Sequence, residues 1–331
     1  MVMRFSLLLV FSTLLPAQPP LIPSDQLKVP KTEENFENAE QPQAMSLSSN
    51  ALFGQKDKDG KIAAALQAKE KAPDLPASYL NVGRAQDSLL RFGDSIATYT
   101  DAIAKFPKDF RFLRLRGQRQ ISLRQFSIAI QDLQAAAKMV PDSFEASYYL
   151  GLAHFFSGDH VKAEAEFGRC ESQQQKPLAK KSDLLGGKSC SSLKDDPEWR
   201  VALQYWRFLA MRRIGDTATA KKYLDDSVAG DLKIQSTKPF YEALLFFKGL
   251  RELGVVMAGA NEGGRDFLTR SSAVATYLFT EGERSQACGI WARNAMDQNW
   301  DHLGVINAES EYWQNSKAAC SLYGAPPKSQ P

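Results

Sequence analysis

Histidine is scarce, with three in 331 residues, and cysteine stops at four, so a His- or Cys-rich metal centre is excluded by count. Net charge is nearly absent. The 41 Lys and Arg against 38 Asp and Glu leave +3, too little to mark a nucleic-acid-binding or membrane-surface protein. Long apolar runs are missing after the first residues. No later stretch reaches the roughly 18 apolar residues of a spanning helix, so no membrane span is expected. Sustained apolar–polar alternation is missing too, which argues against a sheet protein.

What is present starts with an address. Phe5 to Leu15 is an apolar run behind Arg4, followed by Pro16 and the small Ala17. This is the pattern of a secretory signal peptide over residues 1–17 and predicts an exported protein, periplasmic or extracellular after cleavage. Residues 18–60 carry Pro19, Pro20, Pro23, Pro30 and Pro42 among Glu33, Glu34, Glu37 and Glu40. So few apolar residues cannot offset the entropy of ordering, and the segment reads as a disordered linker. Residues 321–331 read as a loose tail.

After residue 61 the chain repeats. Gly83, Gly117 and Gly151 are spaced by 34 residues, as are Pro107 and Pro141, Phe92 and Phe126, and Ala102, Ala136 and Cys170. Unit one carries Tyr79, Val82, Gly83, Ser95, Tyr99, Ala102 and Pro107. Unit two carries Leu113, Gly117, Ala129, Leu133, Ala136 and Pro141, and unit three Leu150, Gly151, Gly158, Ala163, Phe167 and Cys170. Within unit two, Phe126, Ile130, Leu133 and Ala137 share one helical face. No single unit buries such a face alone, so neighbours must stack.

A period of 34 with glycine, small, aromatic and proline residues at these slots resembles the tetratricopeptide repeat. The string at 116–142, with YLGLAHFFSGD at 149–159 and INAESEYW at 306–313, resembles a group of uncharacterised exported bacterial tetratricopeptide repeat proteins. The resemblance implies an all-α, right-handed α/α superhelical solenoid of about five helix pairs with a C-terminal capping helix. Three clear repeats fill 61–175, a loop insertion 176–197, and degenerate helical repeats with the cap 198–320. The fourth unit rests on Gly215, Asp216, Ala220 and Leu224, after a first helix at Trp199 to Arg213. The fifth rests on Gly282, Glu283, Ala287 and Trp291. Pro239 to Leu253 reads as a further apolar helix, followed by a glycine-marked loop, and Leu303 to Trp313 as the cap.

Chemistry-bearing motifs are weak. Gly186-Gly187-Lys188-Ser189 lacks the earlier glycine of a phosphate-binding loop, because position 182 is Ser. His154 and His160 are six apart, off the four-residue spacing of a helical metal pair, and His154 reads as a core residue. No cofactor and no catalytic set is implied. The sequence therefore predicts a non-enzymatic scaffold with a protein or peptide partner.

In the resembled family the concave groove is lined by fixed positions of each first helix. The resemblance places Arg84, Arg111, Arg114, Gln118, Tyr148, Tyr205 and Arg212 there. Guanidinium groups beside aromatic walls suit an acidic or carboxylate-bearing peptide, because they bind a carboxylate bidentately; the bland reading pairs them with nearby Asp and Glu. An alternative is an envelope glycan-binding module presenting Trp199, Tyr205 and Trp206, and an unrecognised enzyme is the third reading. In an oxidising compartment Cys170 and Cys190 would staple the insertion to the solenoid, unless Cys170 merely fills a small slot. Cys288 and Cys320 are the leftover pair.

Overall fold

The structure, a computed structural model, describes residues 42–176, 184–258, 264–316 and 319–320. The signal peptide, residues 18–41, residues 177–183 of the insertion, most of the glycine-marked loop and the tail lie outside the described residues.

The described chain is helical apart from one two-stranded hairpin and short 3-10 turns. Helix α1 spans Lys61–Lys71. Three hairpins of regular length follow: α2 (Pro76–Ser88) with α3 (Phe92–Lys105), α4 (Phe110–Ser122) with α5 (Phe126–Met139), and α6 (Phe144–Phe156) with α7 (His160–Ser172). The N-caps repeat with the sequence. Asp109 and Ser143, 34 apart, each accept a backbone N–H at the start of α4 and α6 and satisfy a donor the helix cannot.

The glycines explain the tight pairing. A Cβ at Gly83 would lie 2.3 Å from the Tyr99 ring, one at Gly117 2.6 Å from Leu133 Cγ, and one at Gly151 2.3 Å from the Phe167 ring. Each contact joins the eighth position of a unit to its twenty-fourth. Helix pairs this close are possible only without a side chain at the eighth position.

The second half is less regular. Helices α8 (Pro197–Ile214) and α9 (Thr217–Ser227) form unit four, α10 (Lys238–Phe247) and the short α11 (Leu253–Val256) follow, and α12 (Arg265–Thr280) with α13 (Arg284–Asn294) forms unit five. Helix α14 (Leu303–Asn315) ends the series. Most consecutive helices pack against one another, with α10 packing on α8 and α12 rather than on α9, and the fold is an all-α solenoid. Among the described residues no helix is long and apolar enough to cross a membrane.

Two features depart from the sequence expectation. Residues 42–60 are not wholly a disordered linker: strands β1 (Ala44–Met45) and β2 (Ala51–Leu52) form an antiparallel hairpin with Leu52 buried. Gln43 Nε2 donates to the Leu90 carbonyl at 2.7 Å, and the backbone N–H of Leu47 donates to Glu309 at 3.1 Å. A few well-placed polar contacts order a segment that composition alone would leave loose.

The second departure is α14, which does more than cap. It turns back on α6, with Gln314 Nε2 donating to the Phe156 carbonyl at 3.1 Å. Glu309 receives Arg124 from the α4–α5 turn through Nε at 3.0 Å and Nη2 at 2.6 Å. Both side chains are almost fully buried. The Phe92 and Trp300 rings meet edge to face at 5.4 Å. The two ends of the solenoid are therefore joined through buried contacts.

Disulfides tie down both irregular segments. Cys170 is joined to Cys190, which holds the insertion onto α7, and Cys288 to Cys320, which holds the end of the described chain onto α13. Closing a loop of 20 residues restricts the unfolded chain by about 3 kcal/mol on the chain-entropy account. Leu184, Cys190 and Leu193 are buried, so the described part of the insertion is packed.

Candidate ligand groove

Helix α4 supplies the stripe on which the candidate site is built. Arg111, Arg114 and Gln118 recur at three- and four-residue steps, and Ile121 and Ser122 continue the line one turn on. Two cavities open along it.

The first, about 90 Å³, is lined by Leu80 and Arg84 of α2, Arg111 and Arg114 of α4, Glu145 of α6, and Leu184 to Gly187 of the insertion. Its three arginines differ. Asp109 holds Arg111 in a two-point fork, Nε to Oδ1 at 2.8 Å and Nη2 to Oδ2 at 2.5 Å. This fork holds the Arg111 pKa above its ordinary value. Arg84 is exposed and, among the described residues, forms no ion pair. Arg114 is partly buried, and among the described residues nothing hydrogen-bonds or ion-pairs with its guanidinium. Burial lowers its pKa, opposed by the Glu145 carboxylate.

Glu145 is itself committed elsewhere, since both its oxygens accept the Lys188 backbone N–H, at 2.9 and 3.1 Å. Counting Arg84 and Arg114 against Glu145, with Arg111 neutralised by Asp109, the described residues give the cavity one net positive charge. A single carboxylate would balance it.

The second cavity, about 420 Å³, lies between α4 and α6 on one side and α10, α12 and the start of α14 on the other. Gln118 Nε2 donates to the Tyr149 hydroxyl at 2.7 Å across its mouth.

Of the seven groove residues expected from the sequence, Arg84, Arg111 and Arg114 meet in the first cavity and Gln118 lines the second. The other three do not face a groove, which corrects that expectation. Tyr148 is buried and stacks on Phe144 at 5.2 Å. Tyr205 is fully buried, with its hydroxyl donating to the Thr269 carbonyl at 3.2 Å. Arg212 is buried, bonded through Nε to Thr280 Oγ1 at 3.2 Å and ion-paired with Glu281. Helix α12 and the residue after it take up Tyr205 and Arg212, whereas Tyr148 is enclosed by the rings of Phe144, Phe167 and Trp199 on α6, α7 and α8. Arg213 is likewise taken up, paired with Glu311 of α14 at 3.0 Å.

The glycan platform is also corrected. Trp206 and Tyr205 are core residues, and Trp199 packs edge-on against Phe144 at 5.5 Å.

Two lining residues went unnamed in the sequence. Glu145 holds the second position of unit three, as Arg111 does of unit two, so the same positional rule would have found it. Tyr149 falls off that rule, and nothing in the sequence points to it. His154 is buried as expected, and burial lowers its pKa.

Residues 115–170 match the tetratricopeptide repeat family. That span covers most of α4 and continues to the end of unit three at Cys170, where the eighth-position glycines pack against the twenty-fourth residues. Within this segment the chain carries tetratricopeptide repeats. No curated protein matches it.

Proposed function

We propose that this protein is a non-enzymatic scaffold that captures a protein or peptide partner through a free carboxylate held by Arg84 and Arg114. The observation that carries the reading is Arg114: a partly buried guanidinium with no anion paired to it among the described residues, in a cavity sized for one small group. Leaving such a charge unpaired is costly, and a partner's carboxylate relieves it with charge-assisted hydrogen bonds of about 1.5–3 kcal/mol each. Arg111, already forked by Asp109, serves as a wall rather than a free donor.

We place the protein outside the cytoplasm, periplasmic or extracellular. The apolar leader at Phe5 to Leu15 supports this, and so do two disulfides with no free cysteine among the described residues, an arrangement favoured in oxidising compartments.

The test compares matched short peptides with free and amidated C-termini by fluorescence anisotropy. Free acids are expected to bind at least tenfold tighter, and Arg84→Ala with Arg114→Ala to abolish that preference without loss of helical signal. Equal binding of acid and amide would overturn the carboxylate reading.

A further inference from the structure

The second cavity differs in chemistry from the first. We propose that the cavity between α4, α6, α10, α12 and α14 is a saccharide site, taking one or two neutral sugar rings. This reading stands independently of the carboxylate pocket.

Size comes first. About 420 Å³ falls within the roughly 300–1,000 Å³ range of small-ligand sites, and the cavity forms where the two ends of the solenoid meet.

Charge comes second. The cations at its edge are matched within the protein: Arg119 with Asp87 at 3.1 Å, and Arg265 with Asp301 through two bonds of 3.0 Å. His302 is uncharged near neutral pH, since burial holds its pKa at about 4. Asp266, exposed at the rim, adds one negative charge. Unlike the Arg84–Arg114 cavity, this one has, among the described residues, no unpaired cation to receive a carboxylate or phosphate, and its excess charge repels both.

Directional bonding comes third. His302 Nδ1 accepts the Gly304 backbone N–H at 3.1 Å, which fixes the remaining ring proton on Nε2. That N–H is a donor with no partner among the described residues. Gln118 spends its amide N–H on Tyr149, so its carbonyl oxygen remains an acceptor, and the Tyr149 hydroxyl keeps its own proton to give. Asp266 accepts only. A mixed array of donors and acceptors is satisfied by hydroxyl groups, each of which does both. An apolar ligand would leave the array unpaired.

The walls come fourth. Tyr149 and Phe240 are only partly buried and line the cavity from opposite sides, α6 and α10. Aromatic surface next to polar planar side chains matches a sugar ring, which has C–H faces and a hydroxylated edge. A ligand here touches elements from both halves of the chain, so its binding should hold them together and raise the melting temperature.

The experiment is saturation-transfer NMR and calorimetry of the mature protein with maltose, cellobiose and N,N′-diacetylchitobiose, each at up to about 10 mM. At least one is expected to bind with a Kd of about 1 mM or tighter and to raise Tm. Phe240→Ala and Asp266→Ala should each weaken that binding at least fivefold. Asp266 is exposed, so its variant keeps the fold intact, and circular dichroism checks this for both. Silence of all three disaccharides overturns the proposal. So does binding that survives both substitutions, and so does a C-terminally amidated peptide occupying the cavity, seen as shifts at Tyr149 and Phe240, while the disaccharides stay silent.

Discussion

Units two and four occupy equivalent places in the repeat but differ at its tightest point. In unit two the eighth position is Gly117, seated on Leu133. In unit four the same position is Phe208, which is buried and meets Phe247 of α10 at 4.6 Å. A glycine there makes the helix pair self-contained. A phenylalanine cannot fit against its own second helix and instead reaches outward for the next element. The regular half of the molecule is therefore stabilised by local, repeated contacts, and the second half by contacts each used once.

A second comparison cuts across the first. The fifteenth position, at the turn between paired helices, is left-handed in all five units: Leu90 at φ 54°, Arg124 at 62°, Gly158 at 88°, Gly215 at 94° and Gly282 at 96°. Glycine takes this conformation freely, whereas leucine and arginine do so at a cost of roughly 1–2 kcal/mol. For Arg124 the return is visible, since the strained turn aims its guanidinium at Glu309. For Leu90 the return is smaller: its backbone carbonyl accepts Gln43, and its side chain only partly packs beside Phe92 and Trp300.

The largest expected effect tests closure against local packing. Arg124→Ala strands Glu309 in the core, and removing one partner of a buried pair typically costs about 3–5 kcal/mol. Denaturant unfolding should show that loss, with hydrogen exchange rising first at the hairpin and α14. A uniform rise across α2 to α7 would mean the two regions are not energetically distinct.

Acid should act on the same closing region. His160, beside Glu311 and Arg213, and His302, at the start of α14, both have pKa values lowered by burial to about 4. Below pH 6.5 the unfolded chain takes up protons that the folded chain refuses. Stability present at neutral pH is thus lost as the pH falls from about 6.5 to about 4, by up to about 3 kcal/mol per histidine. The raised pKa of Glu311 acts in the opposite direction and partly offsets His160. Melting temperatures measured from pH 7 to pH 4 should fall, and less steeply in His302→Asn. A flat profile would contradict the burial of both imidazoles.

Gly117→Leu sharpens the first comparison. Overpacking the eighth position should cost about 1–3 kcal/mol, read as a lower denaturation midpoint. Phe208→Leu, in the roomier unit four, should cost less. The smallest effect separates the two non-glycine turns. Leu90→Gly should stabilise or be neutral within about 1 kcal/mol, because it relieves the backbone, whereas Arg124→Gly should destabilise despite the same relief.

The first three units were legible because their contacts lie within one period. Gly83, Gly117 and Gly151 announce both the helix pairs and the residues they touch. The fourth and fifth helix pairs were found from Gly215 and Gly282; the fourth's first helix was placed within two residues at each end, whereas the fifth's, expected from Ser271, begins at Arg265. In the candidate site, Arg84, Arg111 and Arg114 were legible because the family's groove rule follows the same period. Tyr148, Tyr205 and Arg212 followed that rule equally well and proved to be buried, Tyr205 and Arg212 against α12 and Tyr148 among the rings of Phe144, Phe167 and Trp199.

The amino-acid sequence by itself determined the repeat, the all-helical solenoid and the arginine stripe of α4, since each depends on residues within about one 34-residue period. Only the tertiary structure decided that the concave side is half filled. It brought Glu309 and Glu311 to Arg124 and Arg213, folded the hairpin at 44–52 onto the α2–α3 turn, and left two separate cavities of opposite charge character. The physical reason is separation along the chain. Arg124 and Glu309 are 185 residues apart, and no local pattern records a contact at that distance.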